Sequence, residues 1–444
     1  MGSLRPRIAE VWRLSLPAIL TQITTIAMQY IDSAMVGNLG AQASAAIGLV
    51  SSTTWVLSGF SYGVSAGFSV QVAHHIGAEK DKDARKTVLH GFLAAAVVSL
   101  IVCIIGLAIC KPLPMWLGGE EAIHRDASLY LLSFIIMIPF FQLNNLTSSY
   151  LQCTGDMVTP SVLNAIMCVL DVAFNAIFIP IYGVLGAGIG TTLACVVVSL
   201  VMTWFCCAKN PRIRLRKEKL GFDFSIIKKA IAIGTPVALE EVAMCGAMVV
   251  STVIIAPLGT VALAAHSFAV TAEGLCYMPG YGIGAAATTL VGRKVGAGKI
   301  DEARSYGDIC TAMGAIFMTL TGLAMMIACP FVFSMLTPDR AVRELATQVL
   351  RIELLAEPLF AVSIVAAGAL RGVDDTLVPS LMGLGTIWVI RLGLAFILVR
   401  HMGLHGMWIA MTIELCVRGL LIFWRLRTTK FYDKFKKAET AAEA

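Results

Sequence analysis

The sequence predicts an all-α polytopic membrane protein, twelve transmembrane helices arranged as two parallel six-helix pseudo-repeats. Three observations carry this reading: the composition, the spacing of the apolar runs, and a self-match at a shift of 219 residues. Of 444 residues, 57% are hydrophobic and 14% charged, with a mean hydropathy of +0.80. An ordinary soluble protein is about a quarter charged, so a soluble enzyme and a disordered scaffold are both excluded. Spread over so long a chain, the bias means many spans rather than one anchor.

A span needs about 20 mostly apolar residues. Twelve runs qualify, at roughly 12–37, 45–73, 88–112, 127–151, 160–181, 185–208, 229–256, 262–291, 305–336, 345–370, 378–400 and 404–425. Only helices and closed barrels satisfy a backbone in lipid, and runs this long and non-alternating are helical. Residues 1–11 (MGSLRPRIAEV) are short and basic, and the first run passes Gly37 without a small-residue cleavage site, which predicts a retained span. Position six is Pro6 rather than Ser or Thr, so a lipidation signal fails.

Basic residues set the orientation. Arg5, Arg7 and Arg13 open span 1, and Lys80, Lys82, Arg85 and Lys86 follow span 2. The connector after span 6 holds Lys209, Arg212, Arg214, Arg216, Lys217, Lys219, Lys228 and Lys229; Arg293, Lys294, Lys299 and Arg304 follow span 8. With Arg371 and a tail of Arg425, Arg427, Lys430, Lys434, Lys436 and Lys437, 26 of the 34 basic residues fall on one side. The positive-inside rule makes that side cytoplasmic, with both termini inside a cell (inner or plasma) membrane. These charges need no nucleic-acid partner.

Under the 219-residue shift, segment 17–86 lies on 236–305 without a gap. Pro17 falls on Pro236, Leu39-Gly40 on Leu258-Gly259, Tyr62-Gly63 on Tyr281-Gly282, Gly77-Ala78 on Gly296-Ala297 and Ala84-Arg85 on Ala303-Arg304. Later, Leu151, Asp156, Pro160 and Ser161 fall on Leu370, Asp375, Pro379 and Ser380. Shared membrane composition produces scattered matches, not ungapped coincidence of Gly, Pro and Arg landmarks. The domains are therefore read as 1–215, ending in the basic connector, and 216–444, ending in the basic tail. Six spans per half is even, so both halves enter from the same side. A parallel repeat of this kind is a transporter layout.

Twelve cysteines suggest no disulfide framework. Cys103, Cys110, Cys195 and Cys245 lie inside apolar runs and Cys206-Cys207 ends one, so they read as small hydrophobes. No CxxC or His-spaced set points to a resident metal, and no cofactor is expected. No GxxxxGK[ST] loop and no soluble segment for an ATPase is present, which leaves an ion gradient or a separate partner as the energy source. No catalytic constellation is visible, so an enzyme is not expected, and nothing points beyond a monomer.

A charge at mid-bilayer costs roughly 2.5–3.5 kcal/mol, so each intramembrane acid needs a reason. Asp32 lies in span 1, Asp171 and Asn175 share a face of span 5, Glu240 and Glu241 lie in span 7, and His266 and Glu273 share a face of span 8. Glu353 and Glu357 share a face of span 10, with Glu353, near its start, read as interfacial. Carboxyl groups in apolar surroundings suit proton exchange, and clustered carboxylate and amide oxygens suit sodium. A structural hydrogen bond or interhelical ion pair is the competing reading for each. Glu414 and Arg418, four apart and of opposite charge, read as such a pair. Arg391 in span 11 either neutralises an acid or contacts substrate, and His266 alone reads as a packing residue.

The stretches APLGTVALAAH (256–266) and MPGYGIGAAATTLVGRKVGAGKIDEAR (278–304), with LPAILTQ and DSAMVGNLG in the first half and ALRGVDDTLVPS (369–380), resemble the multidrug and toxic compound extrusion (MATE) family of secondary antiporters. The resemblance runs from Pro17 to about Gly406. It implies a V-shaped pair of six-helix lobes around a central cavity, exporting organic, often cationic or amphipathic, compounds in exchange for Na⁺ or H⁺. Asp32 matches the family's acid on the first helix. Asn175 occupies a position where some members carry Asp, with Asp171 one turn earlier. Glu240 or Glu241, Glu273 and Glu357 are similar to second-lobe acids, although the span 7 acid sits about one turn early. Na⁺ is thus expected at Asp32, Asp171 and Asn175, or at Glu241, Glu273 and Glu357, with Gln22, His266 and Arg391 as secondary candidates. The rival readings are a lipid-linked saccharide flippase of the wider superfamily, which calls for cationic cavity residues, and a membrane receptor that moves nothing.

Overall fold

Hydrocarbon offers the backbone no hydrogen-bond partners, so each apolar run closes its own i→i−4 ladder. The computed structural model describes residues 4–37, 39–118, 121–215 and 221–432. Residues 1–3 of the lipidation reading, Arg216, Lys217 and Lys219 of the connector, and Lys434, Lys436 and Lys437 of the tail lie outside the described residues, as does the junction after residue 215.

Among the described residues every regular element is a helix. The first half comprises α1 (Leu4–Gly37), α2 (Ala41–Gly77), α3 (Asp81–Ile109), the single turn α4 (Leu113–Trp116), α5 (Glu121–Cys153), α6 (Val158–Tyr182) and α7 (Val184–Trp204). The second comprises α8 (Phe224–Ile255), α9 (Thr260–Gly296), α10 (Ile300–Leu336), α11 (Arg340–Glu353), α12 (Glu357–Gly372), α13 (Leu377–Gly385), α14 (Leu392–Met402) and α15 (Leu404–Thr428). π-helical turns extend α7 over Phe205–Lys209 and join α13 to α14 over Thr386–Arg391. Eleven helical stretches among the described residues are long and apolar enough to cross a membrane. The predicted tenth span is the exception: a 3₁₀ turn, Leu354–Ala356, interrupts it between α11 and α12. Pro358, at the start of α12, has no N–H to continue the ladder.

Several helices start before the predicted spans. Span 3 was placed from 88 and span 9 from 305, whereas α3 begins at Asp81 and α10 at Ile300. Acids in these first turns, Asp81 and Asp83 or Asp301 and Glu302, complement the positive helix end and extend each helix beyond its apolar stretch. All twelve cysteines are free thiols.

The duplication is written in the backbone. Gly40 and Gly259 both precede a helix at φ 109° and 96°, with ψ 175° and 174°. The α2–α3 turn closes through Ala78 N→His74 O and Lys80 N→His75 O, and the α9–α10 turn through Ala297 N→Arg293 O and Lys299 N→Lys294 O, all at 2.9–3.0 Å.

The chain forms two compact units, one of Met1–Gln22 with Val242–Ala444 (unit 1) and one of Ile23–Glu241 (unit 2). Each is mostly one sequence half, completed by the opening stretch of helix from the other half. Glu241 is Gln22 displaced by 219 residues, so both exchanges end at the same place in the repeat. Gly63 and Gly282 make the exchange sterically feasible. A Cβ on Gly63 would stand 2.7 Å from Ala238 Cβ and 2.8 Å from Gly234 O; one on Gly282 would stand 2.6 Å from Ile19 N. Because 63 and 282, and 19 and 238, are repeat equivalents, one contact is built twice. Small residues at such crossings let membrane helices approach backbone to backbone.

Polar contacts fasten the outer end of each exchanged stretch. In unit 2, Asp223 Oδ1 accepts from Ser225 N and Oγ (3.0 and 2.6 Å), and its Oδ2 from Lys86 Nζ at 3.0 Å. Asp223 N donates to His90 Nε2 at 2.9 Å, and Gln71 Nε2 to Ile226 O at 3.1 Å. In unit 1, Arg7 Nη1 donates to Ser305 Oγ at 2.8 Å and the Tyr306 hydroxyl to Glu10. Ser225, with Lys86 beside it, holds the Asp223 carboxyl down to about 2.

Adding a methyl at Gly63 or Gly282 should cost more in overpacking, about 1–3 kcal/mol, than the roughly 1 kcal/mol that Gly→Ala returns in helix propensity. Gly63→Ala and Gly282→Ala are therefore expected to lower the melting midpoint in mild detergent. Gly48→Ala, with nothing within 4 Å of its added Cβ, should leave it unchanged or raised. Asp223 supplies a second expectation. A carboxyl held below its unfolded value stabilises above that value and loses the contribution only as pH falls through about 2. Hydrogen-exchange protection in the first turn of α8 should thus stay flat from pH 8 to 4 and fall in Asp223→Asn; a wild-type loss near pH 5 contradicts this.

Candidate functional site

Acid clusters form within each unit. In unit 2, α6 carries Asp171 and Asn175 one turn apart, both at 0% exposure, and α1 brings the half-buried Asp32 against them. Asn175 Nδ2 donates to Asp32 Oδ1 at 2.8 Å. Gly190 of α7 leaves the space that Asn175 Oδ1 occupies, since a Cβ there would collide with that oxygen. Asp171 lies close enough to Asp32 for their charges to interact, and Tyr130 of α5 faces both. Both oxygens of Asp171, and Oδ1 of Asn175, have no hydrogen-bond partner. Buried acceptors of this kind are costly unless something supplies a positive charge or a donor.

Unit 1 has the larger cluster. Glu353 ends α11 and Glu357 opens α12, so the 3₁₀ turn falls between them. Both are fully buried, and none of their four carboxylate oxygens has a partner. Glu357 packs over Gly322 of α10, where a Cβ would stand 3.0 Å from Glu357 Cγ. Glu273, buried on α9, interacts by charge with both. Glu353, which the sequence suggested to be interfacial, is fully buried with Glu273 and Glu357 within reach of its charge, so it joins the acid group. Its signal was its four-residue spacing from Glu357.

Beyond Glu273 lies an acid of a different kind. Glu414 of α15, also fully buried, accepts from Arg391 Nε and Nη2 at 3.0 and 2.6 Å and from Thr386 Oγ1 at 2.9 Å. Arg418 Nε stands 3.1 Å from its other oxygen. The expected Glu414–Arg418 pair is present, and the open question over Arg391 closes in favour of neutralising an acid. Arg391 ends the π-helical turn and reaches across to α15. Arg391, Arg418 and Glu414 all interact by charge with Glu273. Two arginines thus face four carboxylates.

The remaining candidates fall elsewhere. Glu240 and Glu241 are half-buried and belong to unit 2, where Glu241 faces Tyr62; Glu273 and Glu357 belong to unit 1. Gln22 is half-buried at the end of the α1 stretch assigned to unit 1. His266 packs edge-on against the buried Trp408, ring centroids 5.7 Å apart, and its Nδ1 has no partner. Among the described residues no three His, Cys, Asp or Glu side chains converge as a metal site. A cation at Asp32 would draw on the Asn175 amide as well as on carboxylates. Tyr130 and Glu353 were not among the sequence candidates, and Tyr130 has no sequence signal.

Comparison with known proteins places these clusters in context. The MatE family model matches the chain twice, over residues 17–177 and 236–397. A probable multidrug resistance protein NorM from Thermotoga maritima is 26% identical, the match covering 93% of this chain and 90% of that protein. A namesake from Halalkalibacterium halodurans is also 26% identical, covering 95% and 94%. Among solved structures, a MATE protein in complex with MaL6 superimposes with a TM-score of 0.92 at 21% identity, covering 97% of both chains. An outward-facing multidrug resistance MATE family transporter of the MOP superfamily gives 0.91 at 20%, again over 97% of both.

The partnered and unpartnered acids should respond oppositely to neutralisation. Glu414→Gln strands two partly buried arginines and is expected to cost about 3–5 kcal/mol, read as a large fall in melting midpoint. Glu353→Gln and Asp171→Asn remove charges that nothing pairs, and should leave stability unchanged or higher. A Glu353→Gln protein as unstable as Glu414→Gln would mean that Glu353 is a structural acid.

Proposed function

Because the chain belongs to the MatE family, a family of multi-pass membrane transporters, we propose that it exports organic, often cationic or amphipathic, compounds in exchange for Na⁺ or H⁺. The observation that carries this reading is the presence in each unit of buried carboxylate oxygens without partners, at Asp171 in one and at Glu353 and Glu357 in the other. In lipid such groups call for a cation, and one that comes and goes can couple to another solute.

In the proposed cycle an inward-open state takes up the compound from the cytoplasm or inner leaflet. Cation binding in the outward-open state then favours release. Coupling requires that cation and compound prefer different states, with a differential affinity of about 1–3 kcal/mol. At Asp32 the Asn175 amide orients one carboxylate oxygen, while Asp171 supplies a second carboxylate close by. In unit 1, Arg391 and Arg418 offset part of the negative charge, so that Glu273, Glu353 and Glu357 together hold at most two cations when all are ionised. The basic segments support a cytoplasmic position for both termini. The multidrug resistance relatives support organic compounds as the cargo. A lipid-linked saccharide flippase is disfavoured because Arg391, the cation it would use for pyrophosphate, is committed to Glu414.

Reconstituted protein should expel a fluorescent lipophilic cation when a Na⁺ or a pH gradient is imposed separately, and the effective gradient names the ion. Asp32→Asn is expected to reduce gradient-driven efflux about 5- to 150-fold while leaving membrane insertion and melting behaviour intact. Wild-type efflux from that variant removes Asp32 from the mechanism. Absence of counterflow in the wild type would favour a receptor instead.

A further inference from the structure

One helix differs in length between the two copies of the repeat. In unit 2, α6 is unbroken from Val158 to Tyr182 and ends on Gly183 at φ 60°, ψ −130°. In unit 1 the corresponding stretch ends on Gly403 at φ 58°, ψ −138°. Val158 matches Leu377 at a shift of 219, but Gly183 matches Gly403 at a shift of 220. The new register persists: a Cβ on Gly186 would collide with Phe178 O, and one on Gly406 with Leu398 O. Unit 1 therefore holds one extra residue, and the π-helical turn Thr386–Arg391 absorbs it. An i→i+5 turn takes up one residue more than an α turn, and such turns recur at functional sites.

Arg391 closes that turn. At the unbroken shift Asp171 falls on Ile390, and past the extra residue it falls on Arg391, so a cation stands where the other copy has an acid. Glu414, its partner, is doubly answered. Oε2 accepts from Arg391 Nε and Nη2 at 3.0 and 2.6 Å, while Oε1 accepts from Thr386 at 2.9 Å and lies 3.1 Å from Arg418 Nε. Without Arg391, Glu414 would still have one arginine for one carboxylate. Of the charges around Glu273, that of Arg391 acts most strongly, and it reaches Glu353 as well. The turn has room to move. Gly385 and Gly393 flank it, and a Cβ on either would have nothing within 4 Å. Moving the wide turn one residue along the helix swings the side chain at its end by about 100°.

We propose that Arg391 is a resident cation of the unit 1 acid cluster, alternating between Glu414 and Glu273 with the π turn as its joint. The inference rests on the export reading and deepens it. A coupling cation held by Glu273, Glu353 and Glu357 repels Arg391, which stays on Glu414. When that cation leaves, Arg391 moves to Glu273, and each of these two acids then has one arginine. In both positions it answers an acid. Cation and arginine thus compete for one carboxylate, and occupancy of the cluster is transmitted to the helix that carries the turn.

Full-length protein labelled with 5-fluorotryptophan, in uncharged detergent, tests this by ¹⁹F NMR. Trp388 lies in the turn and donates from Nε1 to Ala243 O at 3.2 Å. Trp388→Phe assigns its resonance among the seven tryptophans. Sodium chloride against choline chloride, and separately a pH step, should shift that resonance for whichever ion drives efflux. Arg391→Gln should abolish the shift and lower the half-saturating cation concentration for efflux about 5- to 150-fold, since the competitor is gone. Arg391→Lys should retain the shift. Should Arg391→Gln not fold, Gly385→Ala stiffens the helix without a collision; it should raise the melting midpoint and still diminish the shift. A Trp388 resonance indifferent to the ion that drives efflux overturns the proposal and leaves the export reading intact, as does an undiminished shift in Arg391→Gln or Gly385→Ala. Absence of gradient-driven efflux from the wild type removes the export reading, and this proposal with it.

Discussion

The absence of hydrogen-bond partners in hydrocarbon is the constraint on which this molecule turns. It forces every apolar run into a helix, and it sorts the buried acids into two kinds. Glu414 collects two arginines and a threonine. Asp375 is likewise enclosed, taking Arg425 at 2.8 and 3.1 Å and Thr429 at 2.7 Å. These acids are fully answered by the protein and serve as rivets between helices. Asp171, Glu353 and Glu357 are just as buried and are answered by nothing on their own oxygens. In the proposed export cycle a transient cation answers these groups, and that proposal connects the fold to transport.

Duplication fixed the backbone, and divergence then placed the chemistry. The turns after α2 and α9 close through equivalent bonds, as do those at Asp156 and Asp375, whose amides return to Leu151 O and Leu370 O at 3.1 and 3.0 Å. Yet none of the candidate acids is shared between copies. Asp32 and Asp171 correspond to Ser251 and Ile390, whereas Glu273, Glu353 and Glu357 correspond to Thr54, Phe134 and Ile138. The two clusters arose separately on one scaffold, and only one of them has arginines close by. They are therefore unequal electrostatically.

Much of this was legible in the sequence because membrane physics writes long, simple signals. Apolar runs located the helices, and the repeat emerged from Gly, Pro and Arg landmarks that lipid composition alone does not align. Four features were not legible. The break between Glu353 and Glu357 hides inside a run of adequate hydropathy, with Pro358 its only trace. Glu353 looked interfacial because a linear window sees distance from the end of a span, not the burial that the fold gives it. The exchange of the opening stretches of α1 and α8 is silent because an apolar face reads the same whichever unit it packs against. Arg391 stood between two meanings until its partner on α15 could be located.

That exchange has a bearing on biogenesis. The segment Leu4–Gln22 leaves the ribosome more than two hundred residues ahead of the helices it packs against, α9 and α10. Unit 2 can assemble once Glu241 has been made. Unit 1 cannot be completed until the helices after Val242 are in the bilayer, and through that interval the Leu4–Gln22 stretch waits among lipids or insertion factors. Assembly of unit 1 therefore recruits a stretch made well before the rest of it, and a separately expressed carboxy-terminal half lacks a strut that only its missing sister can lend.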